Sequence, residues 1–132
     1  MRHSIYILVF LLGTLFVSSF ASSNAVNAQE NPFTPVFSSV ILDLPIMPGL
    51  TENAESAVIF DKPDGRVIQT SAFGAAQQDT IKLFYNRALP PLGWHSVKDM
   101  VFHRDGEVLK LGFEQAASPA QTTVSFTLTP QS

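Results

Sequence analysis

Between Gln77 and Trp94 the apolar positions fall at helical spacing: Ile81, Phe84, Tyr85, Ala88 and Leu89 recur at i, i+3, i+4, i+7 and i+8. This spacing lines one face of a 3.6-residue helix. Lys82, Asn86 and Arg87 fall on the other side and are expected to face water. Gly74 is the expected N-cap, Asp79 puts negative charge near the positive end of the helix dipole, and Arg87 places a cation in the last turn. Pro90 lacks an amide hydrogen and disfavours helical geometry at Leu89, so the helix should stop there. Gly93 then supplies the backbone angle that turns the chain into a strand opening at Trp94. A helix of roughly 14 residues is marginal alone and needs a surface to pack on.

The pattern around it has a period of two. Ala57–Phe60 reads as a strand, Asp61-Lys62-Pro63-Asp64-Gly65 as a turn, and Arg66–Phe73 as the return strand. After the helix, Trp94–Val97 and Met100–Arg104 are strands joined at Lys98-Asp99. Asp105-Gly106 suits a type I′ hairpin, which needs positive φ at both central residues. The register that follows pairs Arg104 with Glu107, Phe102 with Leu109 and Met100 with Leu111, with a cross-strand attraction expected between Arg104 and Glu107. Phe102, Leu109, Leu111 and Phe113 then share one face. In the last strand, Thr122–Thr129, Val124, Phe126 and Leu128 alternate with threonine and serine. An antiparallel sheet with one greasy face, roofed by one helix, is the expected domain: α+β, two layers, order ββαββββ, over residues 57–132.

Two segments precede it. Gln29–Ser56 is a Pro-rich apolar arm, with Pro32, Pro35, Pro45 and Pro48 set among Phe33, Val36, Phe37, Ile41, Leu44, Ile46, Met47 and Leu50. A disordered tail would not be this apolar. The arm either lies against its own domain or docks a partner, with Leu44, Ile46, Met47 and Leu50 as the docking residues. Residues 1–28 have the three parts of a secretory signal peptide: Arg2 and His3, the apolar run Ile5–Phe20, and a small-residue exit ending in Val26-Asn27-Ala28. Left uncleaved, the same run would anchor the chain in a membrane.

Composition narrows the chemistry. The chain of 132 residues has no cysteine, which removes disulfides, a lipoprotein anchor, thiol catalysis and cysteine-bound zinc. Loss of the leader leaves about 104 residues, enough for one domain. Seven basic side chains then stand against eleven acidic ones, a net charge of −4. A mildly acidic chain without a basic cluster suits neither nucleic acid nor an anionic membrane.

A resemblance adds to this reading. Asp43-Leu44-Pro45-Ile46-Met47-Pro48-Gly49-Leu50, Phe60-Asp61-Lys62-Pro63-Asp64-Gly65-Arg66, and Phe84-Tyr85 with Leu89-Pro90-Pro91-Leu92-Gly93-Trp94 together resemble a family of small exported alphaproteobacterial proteins built on a domain of unknown function. The similarity covers Asp43 to Thr129. It implies a Gram-negative periplasm and a shared fold, and it carries no activity with it.

No catalytic set is visible. Gly-x-Ser-x-Gly and Gly-rich phosphate loops are missing, and Asp61 and Asp64 are the usual carboxylates of a turn. With a Lys98-Asp99 turn, Trp94 would face His103 and His95 would face Phe102, placing the two histidines of the exported part on opposite sides of the sheet. No catalytic residue, cofactor or metal is therefore expected. The sequence points to a non-catalytic envelope accessory, a protein-interaction or structural module whose partner is another envelope protein, docking through the arm or an exposed sheet edge. The alternative is a small-molecule binder or enzyme with a pocket between helix and sheet, lined by Tyr85, Trp94 and His95.

Overall fold

A computed structural model describes residues 34–115 and 120–131. The expected leader at 1–28 lies outside these residues. The described chain is α+β: one α-helix against a mostly antiparallel sheet. Three short strands, β1 (Val36–Phe37), β2 (Pro45–Ile46) and β3 (Leu50–Glu52), come first. They are followed by β4 (Val58–Lys62), β5 (Gly65–Gly74), α1 (Gln78–Ala88), β6 (His95–Lys98), β7 (Val101–Arg104), β8 (Glu107–Gln115) and β9 (Thr122–Pro130).

β1 and β2 form a small ladder of their own, and the other strands make one sheet in the order β3-β5-β9-β8-β7-β6. β4 also pairs with β5. β3 takes Ala72–Gly74 and β4 takes Gly65–Gln69, so the two act as one interrupted strand along the same side of β5. The break is a single 3₁₀ turn at Ala54–Ser56. Gly74 is required where β3 begins, because a methyl group there would run into the Gly49 carbonyl oxygen.

One face of the sheet is oily. Ladder partners Ala72↔Val124, Thr70↔Phe126, Leu111↔Phe126, Leu109↔Leu128 and Phe102↔Leu109 put these side chains on that face. Helix α1 covers it with Ile81 and Tyr85, both buried, and Leu89 closes its end. Tyr85 meets Phe84 and Phe126 edge-on, with ring centroids 5.0 and 5.4 Å apart. The N-cap is Gln77, three residues later than Gly74, which instead ends β5. Pro90–Leu92 continues as a 3₁₀ turn, and Gly93 takes φ 90° to release the chain toward β6. Lys82 is not simply solvated: its Nζ lies 2.8 Å from Asp99 and over the Phe113 ring.

The arm lies against its own domain, the first of the two alternatives open to it. Ile41, Leu44, Ile46 and Leu50 belong to the same core as Tyr85 and Trp94. The expected boundary between residues 56 and 57 has no counterpart in the packing. A latch holds this segment in place. The Glu52 carboxylate accepts hydrogen bonds from Ser38 Oγ and from the Ser39 amide and hydroxyl, the last two at 2.9 and 2.8 Å. Ser38 Oγ in turn accepts from the Val40 and Ile41 amides. Partial burial opposes ionisation of Glu52, but these donors outweigh it and hold the carboxyl below its ordinary value. The latch thus contributes fully above the unfolded carboxyl's pKa of about 4.3 and is lost as pH falls through the lowered folded value. Glu52→Gln is expected to cost on the order of 1–2 kcal/mol at neutral pH. In urea titrations that difference should shrink as the pH is taken below 4.

Among the described residues no helix is long and apolar enough to cross a membrane.

Candidate functional site

The residues singled out in the sequence do not assemble into one site. Leu44, Ile46 and Leu50 are buried, at 1, 5 and 8% exposure, so their apolar surface is already spent on the chain's own core. This corrects their reading as docking residues. Met47, half-buried, is the one member of that set that reaches the surface. It lines a shallow groove of about 380 Å³ with Leu83, Phe84, Arg87 and Ala88.

The described residues do not bring Tyr85, Trp94 and His95 together around an open pocket. Tyr85 and Trp94 are core residues at 0 and 1% exposure, whereas His95 is exposed on β6. The Tyr85 hydroxyl makes no hydrogen bond to another described residue; the Met47 main chain is its polar neighbour. Burial raises this phenol well above its ordinary range. Trp94 is capped by Arg104, whose guanidinium lies 4.4 Å from the ring and donates to the Leu92 carbonyl at 3.0 Å. Asp43 stands 3.9 Å from the same guanidinium. Arg104 is opposite Glu107 in register, as expected, but its charge is used on the arm and the post-helix turn rather than across the hairpin.

The histidines also move relative to expectation. The β6–β7 turn falls at Asp99-Met100, with Met100 at φ 53°, and a bulge lies between Ser96 and Lys98. His95 therefore pairs directly with His103, and both point to the open face. Among the described residues no three histidine or acidic side chains come together as metal ligands.

Among the described residues, β4 carries the longest unbroken run of exposed large apolar side chains. The chain turns from β4 to β5 in two residues, Pro63 and Asp64, and Gly65 follows at φ 131° against the Pro130 ring. Among the described residues β4 is bonded on one side only, to β5. Val58, Ile59 and Phe60 are 41, 52 and 52% exposed. Phe60 pairs with Val67 on the open face and Ile59 with Ile68 on the covered face, so apolar side chains flank a free backbone edge on both sides. Natural edges are usually blunted by charge, proline or a bulge. Here Asp61, Lys62 and Pro63 protect one end alone. A sequence signal existed: three consecutive apolar residues cannot all be hidden by a sheet with one buried face. The sequence reading raised a sheet edge in general without locating it at Val58–Phe60.

The chain matches no family model, no curated protein and no solved structure.

Proposed function

We propose that this is an exported, non-catalytic protein-binding module that docks an extended segment of another envelope protein along β4. The observation that carries this reading is the run Val58-Ile59-Phe60, exposed on both faces of a strand with one hydrogen-bonding edge open among the described residues. An added strand would take main-chain hydrogen bonds from that edge, and alternate side chains would pack against Phe60 on one face and Ile59 on the other. Burying these three side chains is favourable at about 25 cal/mol per Å² of apolar area, less the cost of ordering the incoming segment. Export rests on the basic, apolar and small-residue succession of residues 1–28, and the periplasmic setting on the resemblance to alphaproteobacterial exported proteins.

The test is affinity capture from envelope extracts with wild type, Ile59→Lys, Phe60→Lys and Leu83→Lys as bait. Leu83 is as exposed as Ile59 but lies on the helix, away from the edge. The reading expects a defined set of partners that is lost with both β4 variants and kept with the helix variant. Retention by the β4 variants, or equal loss in all three, sinks it. Sedimentation of the purified chain would reveal the competing case in which the edge pairs with a second copy.

A further inference from the structure

We infer that the open face of the sheet, away from β4, carries a site for a small organic oxyanion, its charged head held between Lys98 and Lys110. The ladders place Lys98 opposite Val101 and Val101 opposite Lys110, in one row across β6, β7 and β8. Strands lie about 4.8 Å apart, so the two lysine backbones are about 10 Å apart, with one valine between them. Directly opposed residues share a face, and ammonium groups on four-carbon stems can converge above that valine. His103 is two residues along β7 on the same face, with His95 opposite it. Lys98, Val101, His103 and Lys110, together with Val97, Val108 and Thr129, bound a concavity of about 360 Å³, which His95 does not line. Val101 is only 9% exposed although among the described residues no helix covers this face, so the flanking side chains close over it.

Charge decides what such a concavity takes. Two directly opposed histidines could in principle share a transition-metal ion. The two ammonium groups in the next row oppose a cation, and the same groups favour an anion. Neighbouring carboxylates are used elsewhere: Asp99 is paired with Lys82 at 2.8 Å, and Glu107 lies in the groove with Arg104 at the end of the covered face. Glu114, the outward carboxylate of β8, is four residues from Lys110, about 13 Å along the strand. Neither lysine has an ion-pair partner among the described residues. A positive patch thus stands on a chain whose net charge is −3. The aliphatic floor of Val97, Val101 and Val108 selects an anion with an apolar body, a phosphate monoester or carboxylate, over a bare inorganic ion.

An NMR titration of the full chain with phenyl phosphate tests this, with inorganic phosphate and phenol as controls. Phenyl phosphate should shift the amides of Lys98, Val101 and Lys110 saturably, with a dissociation constant on the order of 1 mM for so open a site. Inorganic phosphate should act on the same amides about threefold more weakly, and phenol should leave them unmoved. Lys98→Ala combined with Lys110→Ala should weaken binding at least about tenfold, and Lys62→Ala should not. Should the double variant lose its sheet spectrum, Lys98→Gln and Lys110→Gln singly, each weakening binding about threefold, carry the same test. Shifts scattered over all lysines, or unchanged binding in the lysine variants, would overturn the inference.

Discussion

Tyr85→Ala is expected to destabilise the fold by about 3–5 kcal/mol, while Tyr85→Phe should leave stability within about 1 kcal/mol of the parent or raise it. The alanine variant removes a ring with no solvent exposure and loses edge-on packing against Phe84 and Phe126. The cavity would open where the helix meets the sheet, and the backbone of α1 cannot collapse to fill it. Phenylalanine keeps the ring and removes a buried hydroxyl that has no hydrogen-bond partner among the described residues. Equilibrium urea unfolding of the three proteins separates the two contributions. A phenylalanine variant as weak as the alanine one would show that the hydroxyl is bonded after all. The same burial has a pH signature. The folded phenol titrates higher than the unfolded one, so its contribution is complete below about pH 10 and is lost as pH rises toward the folded value.

Leu44→Ala is the second large effect, about 2–5 kcal/mol. Leu44 is 1% exposed and sits in the cluster formed by Ile41, Ile46, Leu50 and the helix residues. A docking residue on a solvent-exposed arm would cost almost nothing when shortened, and surface changes usually stay within about 0.5 kcal/mol. The urea midpoint of this variant therefore distinguishes a structural arm from a binding arm without any knowledge of the partner. Leu42→Ala is the internal control, because Leu42 is 81% exposed two residues away. It should be close to neutral.

The parts of the fold legible in the sequence were those set by local chemistry. Asp105 and Gly106 take φ 48° and 80°, as the hairpin required, and that turn alone fixes Phe102 opposite Leu109 and Arg104 opposite Glu107. The helix was legible from its period and from Pro90 and Gly93. What failed depended on tertiary context. The arm has proline-broken, two- and three-residue strands whose apolar residues follow no period, so nothing local says which surface they bury against. The β6 bulge adds one residue, and one residue is enough to reverse the face on which His95 lies. Tyr85 lies on the core face of the helix as its spacing predicts, and only the alternative of a pocket around Tyr85 and Trp94 is not met, because aromatic side chains near a helix end suit both a core and a cleft. Arg104 capping Trp94 depends on a contact between residues ten apart, invisible to any local pattern.

With Leu44, Ile46 and Leu50 committed to the core, Val58-Ile59-Phe60 of β4 is the longest unbroken run of exposed large apolar side chains among the described residues, and the charged concavity at Lys98 and Lys110 is a separate feature toward the opposite edge of the sheet.

The segment before β4 is an integral layer of the protein and not a strap lying loosely on it. Native-state hydrogen exchange reads this directly at Ser38 and Leu50, whose amides donate to the Leu44 and Met47 carbonyls at 2.8 and 2.9 Å. The account expects both to exchange only through global opening, with the same free energy as the Phe126 amide in β9. Exchange at near-intrinsic rates at Ser38 and Leu50, while β9 stays protected, would contradict it.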